Sequence, residues 1–220
     1  LEKMPDTQNE IYYISAETSA QALASPHLEG FKSKNIPVLI MTDAIDQFWL
    51  PMVGSFKEKK FTSITQGKIN LDELDSKNKD KKYKSNDDKD KQDKEYVDLI
   101  AQLKVVLGDQ FKDIRLSSKL TDSPVCLVAD EGDMDIAMEQ LMAQRDSNYK
   151  GAPRILEING DHSLIKNMKS LLSKKESNDL VSDAGTLLFE QARLMEGKMP
   201  ADPAQFSKIM NQFLLKAIPN

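Results

Sequence analysis

Two amphipathic patterns standing back to back between Asn178 and Ile218 constrain the fold more than any other feature. Leu180, Ala184, Leu187, Leu188, Ala192 and Met195 recur at helical spacing until Glu196 and Gly197 end the run. A second pattern starts after Asp202, a good N-cap, and Pro203, which a first helical turn tolerates. In it Phe206, Ile209, Met210, Phe213, Leu214 and Ala217 follow one helix face. A helical hairpin at a chain end has two uses. It packs on its own domain, or it pairs with its copy in a second chain to close a four-helix bundle. Periodicity leaves both open, because aromatic and methionine side chains suit an interface core and an ordinary core alike.

A chain of 220 residues has room for one or two domains with ordinary cores. Its net charge is −5, and no folded-looking part gathers lysine and arginine on one face, which argues against general nucleic-acid binding. The single cysteine, Cys126, excludes an internal disulfide framework and fits a reducing cytosol. No apolar stretch approaches the length of a membrane span, and no signal peptide opens the chain. The first residue is Leu1 rather than methionine, so the chain reads as a piece of something longer.

Residues 10–65 read as a small α/β unit. EIYYIS is a β-rich run, the stretch from Ala16 to Lys34 is helix-compatible, and IPVLIM is an almost continuous apolar strand of the kind buried on both faces. Strand, crossover helix and strand predict a parallel pair. Asp43 and Asp46 follow at the C-terminal end of the second strand, where such sheets often hold ligands. No histidine or cysteine joins them, so capping and turn formation are their expected jobs.

The composition then changes sharply. KNKDKKYKSNDDKDKQDKE carries eight lysines against six acidic residues, with Tyr83 its only large apolar side chain. That run cannot bury a core; it is either a linker or the solvated start of a helix continuing into YVDLIAQLKVVLG. Its interleaved aspartates nearly cancel the field that a nucleic acid would need. Beyond Gly108, FKDIRLS and VCLVAD read as strands, with Cys126 a structural thiol in the second.

DEGDMDIAMEQLMAQRD is the segment most informative about function. Its acidic residues do not match a calcium loop, since Gly132 is misplaced and the chelating glutamate is missing, so helix capping explains them better. Behind the cap, Met134, Met138, Leu141 and Met142 share one face of a short helix. On the residues alone such a stripe is usually core; its other use is an adaptable surface that repacks against many partners. Arg154 to Asn159 give a last strand, and Asn159, Gly160 and Asp161 a turn and cap before a helix reaching Ser173. Asp161 beside His162 is a poor catalytic pair, because adjacent side chains point apart and no nucleophile is placed. His27 is just as isolated.

SPHLEGFKSKNIPVLIMTDAIDQF, RLSSKLTDSP, ILEINGDH and DPAQFSKIMNQFLL together resemble the ninety-kilodalton heat-shock chaperone family, most closely its bacterial branch, in the family's order and over most of the chain. The resemblance implies an α+β fold: a small βαβ-type end of the family's middle domain over 1–66, a charged linker or solvated helix start over 67–95, and a C-terminal dimerisation domain over 96–220 with a small sheet and a terminal helix hairpin. It implies a homodimer, with Leu187, Leu188, Met195, Phe206, Ile209, Met210, Phe213 and Leu214 as interface residues. It implies that the short helix over Asp133 to Ala143 meets unfolded or partly folded client proteins through Met134, Met138, Leu141 and Met142. A second client contact falls on Phe48. There the chain departs from its relatives, since Trp49 follows and Pro51 replaces an asparagine, so either ring is a candidate and the helix is expected to shorten or kink.

The family binds ATP and Mg²⁺ in an N-terminal domain and earlier middle-domain residues that this stretch does not contain. No cofactor, no metal and no ATPase activity are therefore expected of these residues alone. The chain ends KAIPN, with neither the acidic tail of eukaryotic cytosolic relatives nor a retention signal, which favours a bacterial cytoplasmic protein. The reading from another class is a non-catalytic α/β interaction module whose methionine face is simply core.

Overall fold

The computed structural model describes residues 4, 8–67, 69–71, 86–146, 149, 151–172 and 178–218, with residues 86–93 through their backbone alone. The chain is α+β, with two small sheets and a helical hairpin at its end.

In the first sheet β1 (Glu10–Ser15) is central. It runs parallel to β2 (Val38–Met41) on one side and to β4 (Lys59–Ser63) on the other, and β3 (Ser55–Phe56) closes the order β2-β1-β4-β3. The predicted parallel pair is therefore present. Tyr12 and Ile14 of β1 are buried with Leu28, Phe31 and Ile64, the rings of Tyr12 and Phe31 meeting edge to face at 5.0 Å. The expectation that IPVLIM is buried on both faces does not hold: among the described residues β2 is an edge strand with one neighbour, and Leu39 is exposed.

The helix-compatible stretch between these strands is broken into α1 (Ser19–Ala24), a short 3-10 turn (Pro26–Leu28) and α2 (Glu29–Ser33). Thr18 and Gln21 form a reciprocal capping box that starts α1. Pro26 stops it, because the residue before a proline is forced out of the helical region, and Ser25 is extended.

The second unit opens with α4 (Asn86–Leu107), so the charged run is helical over 86–95, while residues 76–85 lie outside the described residues. Gly108, with φ 57°, ends this helix, and Phe111–Leu116 follows as β5. The remaining elements are β6 (Val125–Val128), α5 (Ile136–Arg145), β7 (Arg154–Ile158), α6 (Ser163–Leu172), α7 (Asn178–Met195) and α8 (Pro203–Ala217). The sheet order is β5-β7-β6, with β7 parallel to β5 and antiparallel to β6. Leu99, Leu103 and Leu107 of α4, Ile165 and Met168 of α6, and Val181, Leu188 and Phe189 of α7 bury one face of that sheet around Leu127, Leu156 and Ile158.

Polar contacts distant in sequence hold the two sheets together. Glu29, at the start of α2, accepts hydrogen bonds from the backbone N–H groups of Thr121, Asp122 and Ser123 and from Ser123 Oγ. Lys119 is buried and donates from Nζ to the Ile64 carbonyl at 3.0 Å, and Arg115 reaches the Gly67 carbonyl at 2.9 Å. Gly30 lies so close to this seam that a Cβ there would meet the Lys119 carbonyl oxygen at 2.5 Å.

Candidate functional site

The helix carrying the methionines begins later than the residues predict. Asp135 is the N-cap, its Oδ1 accepting from Ala137 N at 2.9 Å, so α5 starts at Ile136 and Met134 lies just before it. The other oxygen, Oδ2, accepts from Ser63 Oγ at 2.5 Å and from Thr65 Oγ1 at 2.7 Å. The cap residue thus also ties the helix to the end of β4.

The inner face of α5 is polar as well as apolar. Ile136 is buried beside Glu139, whose Oε2 stands 2.7 Å from Arg154 Nη2 and whose Oε1 accepts from Ala152 N at 2.8 Å. Arg154 Nη1 donates to the Met134 carbonyl at 3.0 Å, and Gln140 donates to the Glu196 carbonyl at 2.6 Å. With the inner side occupied in this way, the methionine stripe turns outward. Met134 is 41% and Met142 40% exposed, while Met138 and Leu141 are half-buried.

At the other candidate surface, α3 (Asp46–Val53) follows a turn made by the two aspartates. Asp43 Oδ1 accepts from Ile45 N, and Asp46 Oδ2 accepts from Asp43 N. The helix passes through Pro51 and ends at Gly54 rather than stopping at the proline. The two rings separate. Trp49 is half-buried, donates its indole N–H to Asp46 Oδ1 at 2.7 Å and meets Phe61 edge to face at 6.0 Å, whereas Phe48 is exposed. Ile45, Met52 and Val53 are exposed on the same short segment, and the reading from residues alone did not single them out. Their signal, an apolar residue on every side of one short helix, was present in WLPMV.

The terminal hairpin turns at Gly197, φ 74°, where Lys198 N donates to the Arg193 carbonyl. Glu190 then accepts from Ala201 N, Arg193 donates to the Met199 carbonyl, and Asp202 caps α8 through Gln205 N at 2.9 Å. The expected interface residues divide. Leu188 is in the core of its own chain and Ile209 is buried in the single chain. Leu187 and Phe206 are half-buried, and Phe213 is half-buried against the core. Met195, Met210 and Leu214 are exposed, and so are two residues the periodicity did not single out, Leu215 at 76% and Ile218 at 73%.

Asp161 and His162 do not form a catalytic pair. His162 Nδ1 accepts from Leu164 N at 3.1 Å, making it the cap of α6, and Asp161 pairs with Lys166. Cys126 is buried, and burial together with Glu157 raises its thiol pKa well above the ordinary value, in keeping with a structural thiol. Among the described residues no cluster of histidine, cysteine and carboxylate groups is placed to hold a metal, and no helix is long and apolar enough to cross a membrane.

The profile of the Hsp90 protein family matches residues 1–219. Chaperone protein HtpG of Roseobacter denitrificans is 38% identical over 220 residues, which are 99% of this chain and 35% of that protein. The HtpG proteins of Streptomyces coelicolor and of the Wolbachia of Brugia malayi are 35% and 36% identical over 96% and 99% of the chain, and over 32% and 34% of their own length. The chain spans about a third of the length of these curated relatives. With the profile matching residues 1–219 and the relatives aligned across nearly the whole chain, this chain belongs to the Hsp90 family.

Proposed function

We propose that this chain is the dimerising, client-binding C-terminal part of an ATP-dependent chaperone of the HtpG type. In that reading residues up to about 66 end the middle domain and residues 96–220 form the dimerisation domain. The observation that carries it is the apolar side chains left open on the terminal hairpin, where Met195 on its first helix and Met210, Leu214, Leu215 and Ile218 along and just after its second are exposed. Covering each large side chain contributes roughly 1.5–3 kcal/mol before ordering costs, so a second copy of the hairpin closing a four-helix bundle is a sufficient partner. The outward methionines of α5 and the exposed Phe48 supply adaptable apolar surface for unfolded or partly folded clients. ATP, Mg²⁺ and hydrolysis belong to the rest of the protein, and the setting is the bacterial cytoplasm.

The test is the solution mass of the chain over a dilution series, beside a Met210→Asp, Leu214→Asp variant. Both positions are exposed, so the aspartates leave the chain's own core intact, which substitution of the core-packed Phe213 would not. A wild-type dimer that the variant converts to folded monomer supports the reading. A wild-type monomer at all concentrations overturns it.

A further inference from the structure

A cavity of about 510 Å³ lies where α5, the chain between β1 and the Pro26 turn, and the end of α7 come together. Its size is that of a small-molecule pocket. Ile136, Glu139, Gln140, Ala143 and Gln144 line it from α5, with none of the exposed methionines of that helix among them. Among the described residues, three carboxylates, Glu17, Glu139 and Glu196, line it with one ammonium, Lys198.

These carboxylates are not equally satisfied. Glu139 is neutralised by Arg154 at 2.7 Å. Among the described residues, the buried Glu196 receives no hydrogen bond at Oε1, and at Oε2 it meets the Lys198 ammonium at 3.3 Å, outside good hydrogen-bond geometry. Burial raises the Glu196 pKa in spite of the nearby Lys198 and Arg154. Across the same cavity, His27 is buried and neutral, its pKa lowered to about 3 by burial and by Lys119, and its Nδ1 lone pair has no donor among the described residues. Among the described residues the cavity therefore presents buried acceptors that lack N–H donors, a deficit that costs free energy until a donor arrives. Between them Ile14, Ala22 and Ala192 offer apolar wall.

We propose that this cavity binds a compact alkylguanidinium or alkylammonium group, with Glu196 as its counter-ion, His27 Nδ1 as a second acceptor and the apolar wall around its alkyl portion. The same chemistry is carried by a free small amine and by the arginine or lysine side chain of a polypeptide. The proposal does not depend on the client-binding reading of α5, because none of the residues it uses belongs to the methionine face.

The experiment is titration calorimetry of the purified chain with agmatine, with a capped Gly-Arg-Gly peptide and with N-butylurea as the uncharged control. Agmatine is expected to bind at least tenfold more tightly than N-butylurea. Glu196→Gln, checked for folding by circular dichroism, is expected to lose at least tenfold in affinity. Ala143→Trp fills the cavity from an exposed helix position without touching its charges, and is expected to abolish binding by sterics alone. Binding of agmatine without the peptide assigns the site to a free molecule, and binding of both assigns it to a polypeptide side chain. Equal binding of agmatine and N-butylurea, undiminished binding to Glu196→Gln or Ala143→Trp, or no binding of either cation overturns the proposal.

Discussion

Arg154 and Glu139 meet as an ion pair at 2.7 Å with their side chains only 4% and 3% exposed. The pair fixes α5 to the first residue of β7, and Arg154 reinforces it through the Met134 carbonyl. Removing one partner of such a pair strands the other as a buried charge, at a cost of about 3–5 kcal/mol, whereas removing both leaves no charge to strand. Arg154→Met is expected to lose stability on that scale, with Lys198 at 3.9 Å from Glu139 offsetting a little of it. The Arg154→Met, Glu139→Leu double variant is expected to recover much of the loss. Urea unfolding of the three chains checks this, and a double variant no more stable than the single one would mean that packing, not charge, sets the cost.

Glu29 supplies a pH dependence of known sign. Burial works to raise its pKa, but the hydrogen bonds from Ser123, Asp122 and Thr121 together outweigh that and hold it below the ordinary carboxylate value. A group depressed on folding contributes stability that is present above its unfolded pKa and is lost as pH falls through its folded one. The seam between the two sheets is therefore expected to loosen only below the ordinary glutamate range. An NMR titration of the Thr121, Asp122 and Ser123 amides should show a shared midpoint below the ordinary glutamate value, absent in Glu29→Gln. A midpoint at or above that value would mean that the carboxylate is not held by the amides.

Both of these relationships were illegible in the sequence, and for the same reason. Periodicity reports which face of an element is apolar, but it carries no information about which distant polar group that face will meet. Glu29 and Ser123 lie far apart in the chain, and nothing local marks Glu139 as the charged residue inside a methionine-rich helix. What was legible is what local patterning determines: β1, β2 and their parallel pairing, the strands around Cys126, the Asp202 cap and the two terminal helices. IPVLIM misled because an apolar run does not distinguish a central strand from an edge strand; sheet order decides that. The burial of Leu188 in its own chain was not legible for a related reason, since a hairpin helix has one apolar stripe but two neighbours, and α4 and the sheet occupy much of the α7 stripe. The cavity behind α5 is assembled from three distant segments and leaves no trace in pattern.

Close approach at two glycines should separate rigid from yielding contacts. A Cβ on Gly185 would meet Leu103 Cδ2 at 2.4 Å, the end of a side chain that can move, and alanine is worth up to about 1 kcal/mol in helix propensity. Gly185→Ala is expected to cost about 1–2 kcal/mol net of that gain. A Cβ on Gly30 would meet the Lys119 carbonyl oxygen at 2.5 Å, and backbone held by the buried Lys119 side chain and the Glu29 hydrogen bonds cannot yield as cheaply. Gly30→Ala is therefore expected to be the more destabilising, and to expose the Thr121 and Ser123 amides to hydrogen exchange. Equal losses of thermal stability, with no change in exchange at the seam, would show that the two sheets are not tightly held there.

The methionine face of α5 gives the most direct test of what this part of the chain is for. Met134 and Met142 are exposed, so replacing both with glutamine removes little buried area, and stability is expected to change by no more than about 0.5 kcal/mol. Ile136→Ala, on the buried side of the same helix, is the control and is expected to cost about 2–4 kcal/mol. If the outward thioethers contact clients, the double glutamine variant will suppress aggregation of a chemically unfolded test protein several-fold less well than the wild-type chain at equal concentration, while melting at the same temperature. A stability loss of 2 kcal/mol or more, on the scale of buried truncations, would instead make these methionines part of the core. Unchanged suppression with unchanged stability would remove α5 from the client surface and leave Phe48, with Ile45 and Met52 beside it, as the apolar ground to test next.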